Sequence, residues 1–224
     1  MFIGHAAVAL AAKKLAPEAS LGVLLAAATW LDLAWPVLLL LGLETVRIDP
    51  GNTAFTPLDF VSYPWTHSLV MALAWSVLFA LALSPWVRTR RARLVLAALV
   101  FSHWLLDFVV HRPDLPLAPG DSPKLGLGLW NSVPATLLVE GLLAIAGAWA
   151  YQRATQARDA TGRYALWSLL VFLLAIWLSA LVSPPPPSER AVAWVGIAAW
   201  LLPLWAAWAD RHRTIRVMAG STGS

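Results

Sequence analysis

Six apolar runs, at residues 21–43, 64–83, 94–110, 133–151, 164–182 and 191–209, leave this 224-residue chain little choice of fold. Each is close to the roughly 20 residues that a helix needs to cross about 30 Å of hydrocarbon. The expectation is an all-α fold, a polytopic membrane bundle of about six transmembrane helices. Residues 1–216 would form one integral membrane domain, and the Gly/Ser-rich 217–224 a flexible tail. With 59% hydrophobic and 12% charged residues and a mean hydropathy of +0.69, the chain is too apolar for a soluble domain. Its 14 Trp suit two membrane–water interfaces, because indole is apolar in body and polar at its N–H.

Lys and Arg set the orientation. Lys13 and Lys14, the cluster Arg88, Arg90, Arg91 and Arg93, the group Arg153, Arg158 and Arg163, and finally Arg211, Arg213 and Arg216 all fall on one side if six spans alternate. By the positive-inside rule that side is the cytoplasm, with both termini on it. Residues 44–63 and 112–130 then form two long outer loops, rich in Pro, Gly and Asp, able to cap a cavity. Residues 184–187 are a stiff polyproline connector. The pI near 10 does not indicate nucleic acid, since the basic residues are split among short segments and form no stripe. In residues 1–15 the lysines follow the apolar stretch, the reverse of a signal peptide. This first segment is too short for a comfortable span. It is expected to pack back into the bilayer beside the first run, with His5 at mid-depth, the alternative being an amphipathic helix on the inner surface.

Ionisable groups inside spans are expensive and mark functional positions. Asp32 lies within the first run and Glu140 at comparable depth in the fourth, while His67 opens the second from outside. His103, Asp107 and His111 follow one another at i,i+4 spacing in the third, so they project from one helical face. No Cys is present, so any transition-metal site must be built from imidazole and carboxylate. His67, His103 and Asp107, with Asp32 nearby, offer such donors from facing helices, for zinc, manganese or iron. His111 and Glu140 each have a structural reading, as an interfacial cap and a helix–helix hydrogen-bond partner respectively.

Four segments together resemble the bacterial inner-membrane metal-dependent hydrolases of the YdjM-like family. They are Gly4-His5, the stretch Thr29 to Pro36 around Asp32, Tyr63-Pro64-Trp65-Thr66-His67-Ser68-Leu69, and Ser102-His103 through Asp107, followed by Asp114 to Pro119. The resemblance covers roughly residues 1–120. It implies that His5, Asp32, His67, His103 and Asp107 line a metal site, supported by Thr66 and Ser68 through hydrogen bonds to the ligands. Two elements differ. The family carries Asp-x-Asp-His where this chain has Asp32-Leu33-Ala34-Trp35, and His-Arg-Gly before Thr-His-Ser where this chain has Tyr63-Pro64-Trp65. These losses leave one ion at most, with His111 a replacement ligand.

The function implied is hydrolysis of an ester or phosphoester in a membrane lipid or other amphiphile by metal-activated water, with a divalent cation, zinc first, as cofactor. Asp32, His111 and Glu140 are the candidates for catalytic roles beside the ligands. Two other classes remain open: a proton-coupled carrier with Asp32, His103, Asp107 and Glu140 as a relay, and a non-catalytic membrane scaffold.

Overall fold

The computed structural model describes residues 1–216; the expected flexible tail at 217–224 lies outside them. The chain starts with α1 (Phe2–Ala12), and Ser20 then caps α2 (Leu21–Ala28) by accepting the Val23 N–H at 3.2 Å. α3 (Trp30–Leu40) continues the same apolar run after a bend of 59° at Thr29. There the Thr29 hydroxyl donates back to the Leu25 carbonyl at 2.8 Å, and Pro36 has no N–H to offer the Asp32 carbonyl. The antiparallel strands β1 (Thr45–Ile48) and β2 (Leu58–Ser62) follow. α4 (Pro64–His67) stops at Ser68, whose ψ of 151° is extended and whose hydroxyl caps α5 (Leu69–Ala82). Next come α6 (Arg90–Val110), the small pair β3 (Leu115–Pro116) and β4 (Lys124–Leu125), and a 3-10 turn at Leu129–Asn131. The remainder is α7 (Val133–Ala154), β5 (Thr155–Ala157), α8 (Ala160–Ser179), α9 (Glu189–Ala198), α10 (Leu201–Arg211) and β6 (Arg213–Ile215), which pairs antiparallel with β5.

The protein is a helical bundle, and four helical stretches among the described residues are long and apolar enough to cross a membrane. These are α6, α7, α8 and the nearly continuous α9–α10, interrupted only where Pro203 has no N–H to give and the Ala199 carbonyl accepts from the Leu202 N–H at 3.0 Å instead. The bent α2–α3 pair makes a fifth. Against the expected count of about six, four to five stretches reach full length, the difference being α5, which the break at Ser68 leaves with 14 residues, about 21 Å at 1.5 Å each.

The connections nevertheless sort into two ends. At one, Lys13 pairs with Asp210 at 2.7 Å, the Thr89 hydroxyl donates to Glu18, and β5 meets β6. At the other, the Phe55 N–H donates to the Trp130 carbonyl at 3.1 Å, Arg112 pairs with Asp59 at 2.5 Å, and Lys124 Nζ reaches the Val61 carbonyl at 3.3 Å. The four basic segments thus share an end, as alternating crossings require. α1 packs on α7, α2 and α6 with Ile3, His5, Ala6, Ala7, Ala9, Leu10 and Ala12 all buried, so the alternative of a surface amphipathic helix does not hold. Close approach is possible because Gly147 has no side chain: a Cβ there would lie 2.4 Å from the Ala7 carbonyl oxygen.

Candidate metal centre

Three backbone interruptions bring the polar residues together. The bend at Thr29 places Asp32 in the first turn of α3 and leaves the Ala28 carbonyl facing α6, where His103 Nδ1 meets it at 2.9 Å. A carbonyl only accepts, so Nδ1 carries a proton, and in the neutral imidazole the free lone pair is on Nε2. The stop at Ser68 holds His67 at the end of α4, with Nδ1 2.7 Å from Thr66 Oγ1. The short α1, docked inside the bundle, lays the His5 ring on that of His103 with 3.7 Å between centroids and 8° between planes.

The result is one cluster of three imidazoles and two carboxylates. His103 Nε2 lies 3.1 Å from Asp107 Oδ2 and 3.6 Å from Asp32 Oδ1, and His67 Nε2 lies 3.7 Å and 3.5 Å from the same two atoms. His5 Nε2 is 3.1 Å from Asp107 Oδ1, against which the Met1 nitrogen also packs. Two overlapping triads, His5–His103–Asp107 and Asp32–His67–His103, each hold their donor atoms within 4.8 Å of one another, close enough to grip an ion. Ligands about 2 Å from a tetrahedral centre stand about 3.3 Å apart, which is the spacing found between the His and Asp atoms. The buried His103 Nε2 makes no well-directed hydrogen bond among the described residues, although the Asp107 and Asp32 carboxylates face it at 3.1 Å and 3.6 Å. A lone pair held against two carboxylate oxygens is repelled by them unless a positive charge lies between, and a metal ion or a proton meets that need. The donor set therefore fits a divalent metal ion.

Four members of the cluster are sealed from solvent, whereas the Asp32 side chain is 45% exposed. It opens into a cavity of about 50 Å³ whose other walls include Phe2, Ala6, Leu25, Leu173 and Leu202. That cavity shares Ala6 and Leu173 with an apolar groove of about 310 Å³ between α1, α7 and α8.

His111 and Glu140 sit elsewhere. His111 Nδ1 lies 2.9 Å from Asp114 Oδ1, which also accepts from the Tyr63 hydroxyl at 2.8 Å, and the Tyr63 ring packs against both His111 and His67. Burial and the Asp114 carboxylate push the Tyr63 phenol well above its usual range, so it stays a donor. Glu140 accepts from the Ile3 N–H at 3.2 Å and the Trp130 indole at 3.3 Å, anchoring the first turn of α1. Of the residues supporting the ligands, Thr66 touches His67, while the Ser68 hydroxyl is spent on the Met71 N–H.

Sequence reasoning passed over Glu44 as one more acid in a loop. It is buried, and its Oε1 accepts from the Trp65 and Thr66 N–H groups at 2.8 Å each while Oε2 accepts from the Thr66 hydroxyl at 2.7 Å. Burial raises its carboxyl above the ordinary value, opposed by nearby His67 and these donors. Only its place directly after an apolar run, ahead of a Pro-Trp-Thr-His turn, could have hinted at this. No protein-family model, curated protein or solved structure matches the chain.

Proposed function

We propose that this protein is a membrane-embedded, metal-dependent hydrolase of the YdjM-like kind, acting on an ester or phosphoester of a lipid or amphiphile in a bacterial inner membrane. The observation that carries the reading is the gathering of His5, Asp32, His67, His103 and Asp107 in two triads that share His103, with two imidazole Nε2 atoms turned to the same two carboxylates. Zinc suits an imidazole and carboxylate set best, with manganese and iron also compatible. When bound, such an ion acidifies water and polarises the bond to be cleaved.

The side chains supply the rest. His67, His103 and Asp107 hold the ion, and His5 completes the buried side of the shell. Asp32 is the one carboxylate open to a substrate, so it takes the proton of the attacking water as the new bond to carbon or phosphorus forms. It returns that proton to the departing alkoxide as the ester bond breaks. The apolar cavity beside Asp32 and the neighbouring groove, which share Ala6 and Leu173, are where the hydrocarbon part of the substrate would lie.

A proton-coupled carrier is favoured less, because Glu140, the fourth member of its relay, is tied to α1 and Trp130. Elemental analysis of protein purified in detergent tests the proposal. About one zinc, manganese or iron per chain is expected. His103→Ala should cost more than the about 10–100-fold in affinity that loss of a supporting partner costs, and His212→Ala, paired with Asp159 far from the cluster, should leave it intact. Folded protein that binds none of these ions at saturating concentration would overturn the reading and favour the scaffold or carrier.

A further inference from the structure

The two imidazoles that face the carboxylates are oriented by different means. His103 uses a main-chain carbonyl exposed by the bend at Thr29, which has no proton to give. His67 rests instead on a hydroxyl, and a hydroxyl can donate or accept. Something must decide which.

Thr66 Oγ1 lies 2.7 Å from Glu44 Oε2 and 2.7 Å from His67 Nδ1. An ionised carboxylate only accepts, so the single Thr66 proton goes to Glu44. The Thr66 oxygen is then an acceptor toward His67, whose Nδ1 must carry the imidazole proton. We propose that Glu44 is a positioning residue: through Thr66 it fixes the tautomer of His67, so that Nε2 is a bare donor aimed at Asp32 and Asp107. The consequence for metal binding rests on the proposed metal site, but the tautomer itself does not. A simple cap of α4 would account for Oε1, which takes both N–H groups; it would not account for Oε2, committed wholly to the hydroxyl.

Glu44→Gln separates the two roles. The amide oxygen can still accept from the Trp65 and Thr66 N–H groups, but the amide nitrogen donates where a carboxylate accepted. The Thr66 proton then turns to His67 Nδ1, the imidazole proton moves to Nε2, and the lone pair facing the cluster is lost.

The test uses metal-free full-length protein in detergent, with ¹⁵N-labelled histidine and long-range ¹H–¹⁵N correlation spectra. His67 is assigned by its disappearance in His67→Gln. The wild type and Thr66→Ser, which keeps the hydroxyl, should show His67 protonated at Nδ1. Glu44→Gln should show it protonated at Nε2, and Thr66→Val, isosteric but without the hydroxyl, should lose the Nδ1 preference. Titration with Co²⁺ should then show affinity about 10–100-fold weaker in Glu44→Gln and preserved in Thr66→Ser. A wild-type His67 with Nδ1 bare and its proton on Nε2, or a protonation pattern unchanged in both Glu44→Gln and Thr66→Val, would overturn the assignment. The expected tautomer change in a protein that binds no Co²⁺ upholds the role of Glu44 and sinks the metal reading alone.

Discussion

Lys13 illustrates how little a single charged residue reveals of its setting. Read as one of a pair of cytoplasmic lysines, it is in fact buried, with Nζ 2.7 Å from Asp210 and 2.8 Å from the Ala19 carbonyl. Asp210 also accepts from the Leu21 N–H at 3.0 Å and the Tyr151 hydroxyl at 2.5 Å, so one carboxylate ties the start of α2 and the end of α7 to α10. Asp210→Asn should leave the ammonium without a counter-charge and cost about 3–5 kcal/mol, the range for breaking one side of a buried ion pair. Thermal or denaturant unfolding in detergent measures this. Stability equal to wild type would mean that Lys13 escapes to water. The His103 and Asp107 pair was legible at this scale because i,i+4 spacing needs nothing beyond one helix, whereas Glu44 precedes Thr66 by a long loop and no local rule joins them.

Among the elements, α1 shows most clearly why position in a bundle is not written in periodicity. Its 11 residues span about 16 Å, too short to cross, yet it lies inside because small residues let its backbone touch α7. Gly147→Val should force that contact apart, costing about 1–3 kcal/mol by overpacking and withdrawing His5 from the cluster, so that metal affinity falls with stability. Gly141→Ala on the same helix is the control, since a Cβ there meets only Trp177 at 3.8 Å. If the two variants melt at the same temperature and bind metal equally, the close α1–α7 packing is not what positions His5. The second apolar run makes the opposite point. Hydropathy joined residues 64–83 into a span, but Ser68 turns extended, caps the next helix and sets His67 apart.

At the scale of the molecule, the basic segments gather at the end where Lys13 meets Asp210 and β5 meets β6, and the two long loops gather at the other. If the basic end is cytoplasmic, a cysteine placed at Asn52 or Asp121 in intact cells should react with a membrane-impermeant thiol reagent, and one at Arg90 should be protected. Protection of both loop sites with labelling at Arg90 would reverse the orientation and turn the His/Asp cluster toward the cytoplasm.

The helical class, the approximate places of the spans, their alternation and the face shared by His103 and Asp107 followed from the sequence alone. These depend on burial in lipid and on the 3.6-residue period, both local properties of a chain. The tertiary structure decided the bend at Thr29 that bares the Ala28 carbonyl, the stacking of His5 on His103, the diversion of His111 to Asp114 and of Glu140 to α1, and the reach of Glu44 to His67 through Thr66. Each is a contact between residues distant in sequence or a choice between two hydrogen-bond partners, and such choices are fixed only when packing brings the partners within about 3 Å.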